Sequence, residues 1–126
     1  MHSGEPIRGY RDLKVWQLGM EMAERVYELT RDFPSEEKYG LTSQLRRAAA
    51  SIPANIAEGH ARTSRKEYQH YLSIAVGSLA EIETFVELGA RLHFGSDQSI
   101  RVLCEMIDEE RRMLRGLQRS LRAETP

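Results

Sequence analysis

Apolar residues recur three and four positions apart along almost the whole chain. Outside that pattern no stretch of four or more residues alternates as a strand does. Four helices are predicted. The first opens at Asp12, a good N-cap, and runs to about Asp32, with Leu13, Trp16, Met20, Ala23 and Tyr27 as its stripe and Val26 and Phe33 widening it. Pro34 ends it, because the residue before a proline avoids the helical region. The second helix spans Leu41 to Glu58 on Leu45, Ala48, Ala49, Ile52 and Ile56, with Gly59 as its C′ residue. Pro53 lies inside it and withdraws the N–H that would bond Ala49, so a kink is expected there. The third opens on Ser64-Arg65-Lys66-Glu67, a capping box, and ends at Gly95. Tyr68, Leu72, Ala75, Leu79, Ile82 and Val86 form one face of it, and Tyr71, Ile74, Phe85, Leu88 and Leu92 a second. The fourth is capped by Ser96 or Asp97 and runs to about Arg122 on Ile100, Leu103, Ile107, Leu114, Leu117 and Leu121. Long helices on short links pack as antiparallel neighbours. The expected fold is all-α: an antiparallel up-down four-helix bundle with a proline-kinked second helix. It forms a single domain over 1–126, with 1–9 as a flexible N-terminus. Two apolar faces on the third helix predict self-association, because a lone bundle needs one inward stripe per helix.

Composition narrows the function. The 126 residues carry 18 basic and 19 acidic side chains, a net charge of −1. That balance excludes a protein that coats nucleic acid by bulk charge. The sum conceals a pattern. Residues 1–40 carry −2, 41–66 carry +4, 67–95 carry −3, and 96–126 sum to zero. The +4 segment holds Arg46, Arg47, Arg62, Arg65 and Lys66 against Glu58 alone. The last segment is split: Asp108-Glu109-Glu110 precedes Arg111, Arg112, Arg115, Arg119 and Arg122. Arginine presents a planar fork suited to phosphate and carboxylate. Arg46, Arg47, Arg62, Arg65 and Lys66 are therefore the first candidates for binding a nucleic acid or acidic partner, and Arg111, Arg112, Arg115 and Arg119 the second. The competing reading is structural. Arginine complements a helix C-terminus and pairs with acids one turn away, as Glu109 does with Arg112 and Asp108 with Arg111 or Arg112.

The single cysteine, Cys104, fits a reducing compartment and reads as a small core or interface residue. The N-terminus has no apolar h-region. No run approaches the roughly 18 apolar residues of a membrane span, so a cytoplasmic protein is expected. Chemistry motifs are sparse. Glu67-x-x-His70 has the spacing of a carboxylate-bridged di-iron helix but lacks a second copy. His2, His60 and His93 show no ligand spacing. With no phosphate loop or nucleophile motif either, neither an enzyme nor a metal or other cofactor is expected. The unusual local run is Ser51-Ile52-Pro53-Ala54-Asn55-Ile56-Ala57-Glu58-Gly59, in which Asn55 continues the apolar stripe. Ser51 or Asn55 then satisfies backbone groups freed by Pro53, as structural polar residues at the kink with Glu58 beside them. Alternatively Asn55, Glu58 and Arg47 form a polar site.

Three runs also carry a family resemblance: Tyr10-Arg11-Asp12-Leu13-Lys14-Val15-Trp16, Tyr39-Gly40-Leu41-Thr42-Ser43-Gln44-Leu45-Arg46-Arg47-Ala48-Ala49, and Ser51 through Gly59. Lys66-Glu67-Tyr68 and Leu72 through Glu81 continue it. Over about residues 10 to 94 the chain resembles the four-helix-bundle proteins encoded in bacterial 23S rRNA intervening sequences. The resemblance implies a cytosolic bundle that assembles as a ring-like homopentamer. It also implies kinship with the accessory protein of diversity-generating retroelements, which associates with a reverse transcriptase and nucleic acid. The expected function is a non-enzymatic homo-oligomeric scaffold that binds RNA or a nucleic-acid-linked protein through its Arg-rich patches. The alternative is a purely structural self-assembling bundle.

Overall fold

The computed structural model describes residues 6–123. Four helices carry the fold: α1 (Lys14–Arg31), α2 (Leu41–His60), α3 (Arg65–Arg91) and α4 (Asp97–Ala123). Short 3₁₀ turns at Tyr10–Asp12 and Ser35–Glu37 precede α1 and α2. Of the expected flexible N-terminus, residues 1–5 lie outside the described residues; Arg8 and Gly9 are tied to the first turn by hydrogen bonds with Asp12.

Each helix packs on two others, α1 and α3 each on α2 and α4. The pairing runs antiparallel. Gly59 near the end of α2 lies against Tyr68 and Tyr71 at the start of α3, and Leu41 at the start of α2 lies near Gly89 toward the end of α3. Arg46 reaches back to Thr30 of α1, while Gly19 near the start of α1 meets Ile52 of α2 and Glu110 of α4. One core of aliphatic side chains is shared by all four helices, with Met22, Leu45, Ile52, Leu72, Leu79 and Leu103 among its largest members.

The sequence places the helices correctly and misplaces some faces and ends. On α1 the buried stripe is Val15, Gly19, Met22, Val26 and Leu29. The predicted stripe flanks it: Leu13, Trp16 and Ala23 are half-buried, and Met20 and Tyr27 are exposed. The reason is Gly19, which an apolar count passes over although it occupies the central contact. Asp12 does not cap α1. It sits in the preceding turn and accepts the Arg8 N–H at 2.9 Å, leaving Leu13 as an N-cap without a side-chain bond. Gly59 does not end α2; it is helical and buried. A Cβ there would lie 2.9 Å from both Tyr68 Cδ1 and Tyr71 Cβ, so glycine is needed for close approach of α3. Gly95, with φ of +80°, belongs to the turn after α3, not to its last residue. There a Cβ would meet Leu29 Cδ1. The Ser64 cap forms as expected, its oxygen accepting from the Glu67 N–H at 3.2 Å. Ser96 caps α4 through the Ser99 N–H.

Candidate functional site

The two basic stretches of the sequence meet at one end of the molecule. The first turn of α3 contributes Arg65, Lys66 and Gln69, the link before it contributes Thr63, and the last turn of α4 contributes Arg122. Together they line a surface cleft of about 850 Å³. Arg122 has a structural explanation, since a cation complements the negative end of the α4 dipole. Lys66 does not. It stands with Arg65 at the positive end of α3, where the dipole opposes a cation, with Glu67 as that turn's acid. The cleft therefore combines three cations with a helix end that itself favours an anion.

Other predicted bases are occupied elsewhere. Arg46 is half-buried and joins α2 to α1: its Nε donates to Thr30 Oγ1 at 2.8 Å, and its guanidinium lies 4.6 Å from the Tyr27 ring centre. Arg62 bonds Glu58 at 3.0 Å and Tyr71 Oη at 2.8 Å. Arg111 bridges α4 to α3 by pairing with Glu83, and also holds Asp108. Arg112 pairs with Glu109, a hydrogen bond that raises its already high pKa. Arg115 donates to Gln118 at 3.1 Å. Arg47 and Arg119 are exposed.

The polar group at the α2 proline forms a bridge between helices. Asn55 Nδ2 donates to the Ser51 carbonyl at 2.8 Å and to Ser51 Oγ at 2.9 Å, and Ser51 Oγ shares a 2.8 Å hydrogen bond with Ser78 Oγ of α3. The amide thus serves Ser51, whereas the carbonyl deprived by Pro53 is that of Ala49. Glu58 turns to Arg62, and among the described residues no hydrogen bond joins Asn55, Glu58 and Arg47. Cys104 is exposed, so of the two places expected for it, core or interface, it does not take the core. Helix α4 buries Leu103 and Ile107, which leaves residue 104 turned outward. Partial burial, followed by the nearby Asp108, Glu83 and Glu87, pushes its thiol pKa up, which disfavours a reactive thiolate. Among the described residues no three His, Cys, Asp or Glu side chains come together to hold a metal. His70 is exposed and lies edge-on to Tyr71.

Residues 11–116 match the sequence profile of the 23S rRNA-intervening sequence protein. The chain belongs to that family. A crystal structure from Bacteroides thetaiotaomicron VPI-5482, described as a protein with unknown function from the S23 ribosomal protein family, is similar to it with a TM-score of 0.76. The two are 25% identical over 83% of this chain and 95% of the other. None of the curated proteins matches the sequence. For this member of the 23S rRNA-intervening sequence protein family, two residues stand out that the site residues expected from the sequence did not include. Arg122 completes the cleft and is the last base of the C-terminal arginine run. Glu110 is fully buried and no hydrogen-bond donor reaches either of its oxygens. It was visible as the gap in the stripe Leu103, Ile107, Leu114, Leu121, where a core residue is due.

Among the described residues no helix is long and apolar enough to cross a membrane.

Proposed function

We propose that the protein is a non-enzymatic, cytoplasmic homo-oligomeric scaffold, pentameric in its ring, that binds RNA through the cleft between the α3 N-terminus and the α4 C-terminus. The observation that carries this reading is the convergence of Arg65, Lys66 and Arg122 from two distant segments on one cleft. Lys66 stands where helix stability disfavours a cation, so its placement favours an anion outside the helix. Phosphates of structured RNA supply it, and repetition of the cleft around an assembly adds weak contacts by avidity.

The test is binding of a structured RNA at several salt concentrations. Three neutralised phosphates per cleft predict a log K against log salt slope of about −2 to −3. Lys66→Glu flattens that slope and weakens binding without harm to α3, because an acid in the first turn suits its dipole. A slope near zero, or no binding at low salt, overturns the reading.

A second reading has its own support. Arg46, Arg62, Arg111 and Arg112 are all held by groups of the same chain. On that reading the bases serve structure, and the protein assembles without a nucleic-acid ligand. Light scattering that finds an intact oligomer, together with absence of RNA binding, supports it over the first.

A further inference from the structure

Glu110 has no part in the cleft and no conventional place in a core. It is the only acidic or basic side chain among the described residues that is fully buried, and neither carboxyl oxygen meets an N–H or O–H. Its surroundings are specific. A Cβ on Gly19 of α1 would lie 3.1 Å from Glu110 Oε2, 3.4 Å from Ile52 Cγ2 and 3.6 Å from Pro53 Cδ. The carboxyl therefore fills the gap left by a glycine on one helix, beside a proline on another.

Ionisation at such a place is costly, because a carboxylate without donors loses its hydration with nothing in exchange. A protonated carboxyl is neutral and carries one O–H to donate. Pro53 beside it also bears on the backbone of α2. A helical proline ring lies against the carbonyl four residues back and cannot bond it. That carbonyl belongs to Ala49, which is itself fully buried. The unpaired acid and the α2 proline thus border the same glycine gap.

We propose that Glu110 is carried as a neutral carboxylic acid, and that its proton is a structural part of the bundle that ties the packing of α4 on α1 to pH. The charged surroundings support this. The buried residues of α1, α2 and α3 include no titratable side chain. The half-buried titratable groups of α2 are engaged, Arg46 on Thr30 and His60 against Tyr68. On α3, Tyr68 and Tyr71 are half-buried, and the exposed Glu83 is held by Arg111 of α4. The one neighbouring charge that acts on Glu110 is Glu109 of α4, an acid, which opposes ionisation further. Burial first, and Glu109 second, push the carboxyl from its ordinary 4.5 up to about 8.

The direction of the pH effect follows. The native state keeps a proton that the unfolded chain releases, so stability is greatest below pH 4.5 for this group. It is lost as pH rises toward 8, and is level beyond. The experiment is urea unfolding of the full chain and of Glu110→Gln from pH 5 to 9. Relative to the Gln protein, the native chain loses about tenfold in its folding constant per pH unit up to about pH 8. Parallel profiles overturn the proposal. Where Glu110→Gln does not fold, the native protein decides alone. The Glu110 side-chain carbon, assigned through its backbone by NMR, titrates near pH 8, whereas a midpoint in the ordinary carboxylate range overturns the proposal.

Discussion

Two glycines on helical backbone show how much a missing side chain can matter at a single residue. Gly59 has Tyr68 and Tyr71 pressed into the space a Cβ would take, at 2.9 Å, with the Tyr68 carbonyl at 3.3 Å. Gly77 is exposed on α3 with nothing within 4 Å. The same substitution therefore acts with opposite signs. Gly59→Ala gains helix propensity of about 1 kcal/mol but forces α3 away, at an overpacking cost of about 1–3 kcal/mol. Gly77→Ala collects the propensity with no clash and stabilises by about 0.5–1 kcal/mol. Urea midpoints of the two variants check this: Gly59→Ala falls and Gly77→Ala rises. A rise in both would mean that α2 and α3 have slack at their crossing.

At the scale of the helices, termini are set by single hydrogen bonds, and these were only partly legible in the sequence. Ser64 and Ser96 were readable as caps because each precedes a helical stripe at the right spacing, and each accepts the N–H three residues on. Ser64→Ala should cost about 1 kcal/mol in thermal or urea unfolding, and an unchanged midpoint would show that α3 draws its start from packing alone. Asp12 met the same sequence criterion and failed, because a 3₁₀ turn takes its carboxylate for the Arg8 N–H. The stripes of α2 and α3 were legible from their aliphatic residues, whereas the α1 stripe was shifted, since its central member Gly19 carries no side chain to count. The site was less legible than the fold. A charge tally finds basic segments but not partners. Arg111 pairs with Glu83, 28 residues away, and Arg46 with Thr30, 16 away, and only the fold brings such groups together.

For the whole molecule, the unresolved balance is between apolar surface and charge. Helix α3 buries Leu72, Leu79 and Ile82, yet Ile74 and Leu88 of the same helix, and Leu92 just past its end, remain exposed. On α1, Met20 and Tyr27 lie exposed one above the other along a shallow groove that also contains Glu24 and Glu28. Of the second face read in the sequence, Tyr71 and Phe85 are half-buried, against Gly59 and the core, whereas Ile74, Leu88 and Leu92 stay exposed among the described residues. Burial of such side chains favours association of copies at roughly 25 cal/mol per Å² of apolar surface removed from water. Light scattering at micromolar concentration should therefore find an oligomer. Leu88→Lys together with Leu92→Lys should shift it toward smaller species while leaving the helical circular dichroism intact, because neither residue contributes to the core. A native protein that is monomeric under these conditions overturns the expectation. Salt separates this contact from the cleft. Apolar association survives at high ionic strength, whereas phosphate contacts weaken along the slope predicted above. An oligomer that persists in 0.5 M salt while RNA is released would show two surfaces with two different forces, the neutral total charge concealing one of them.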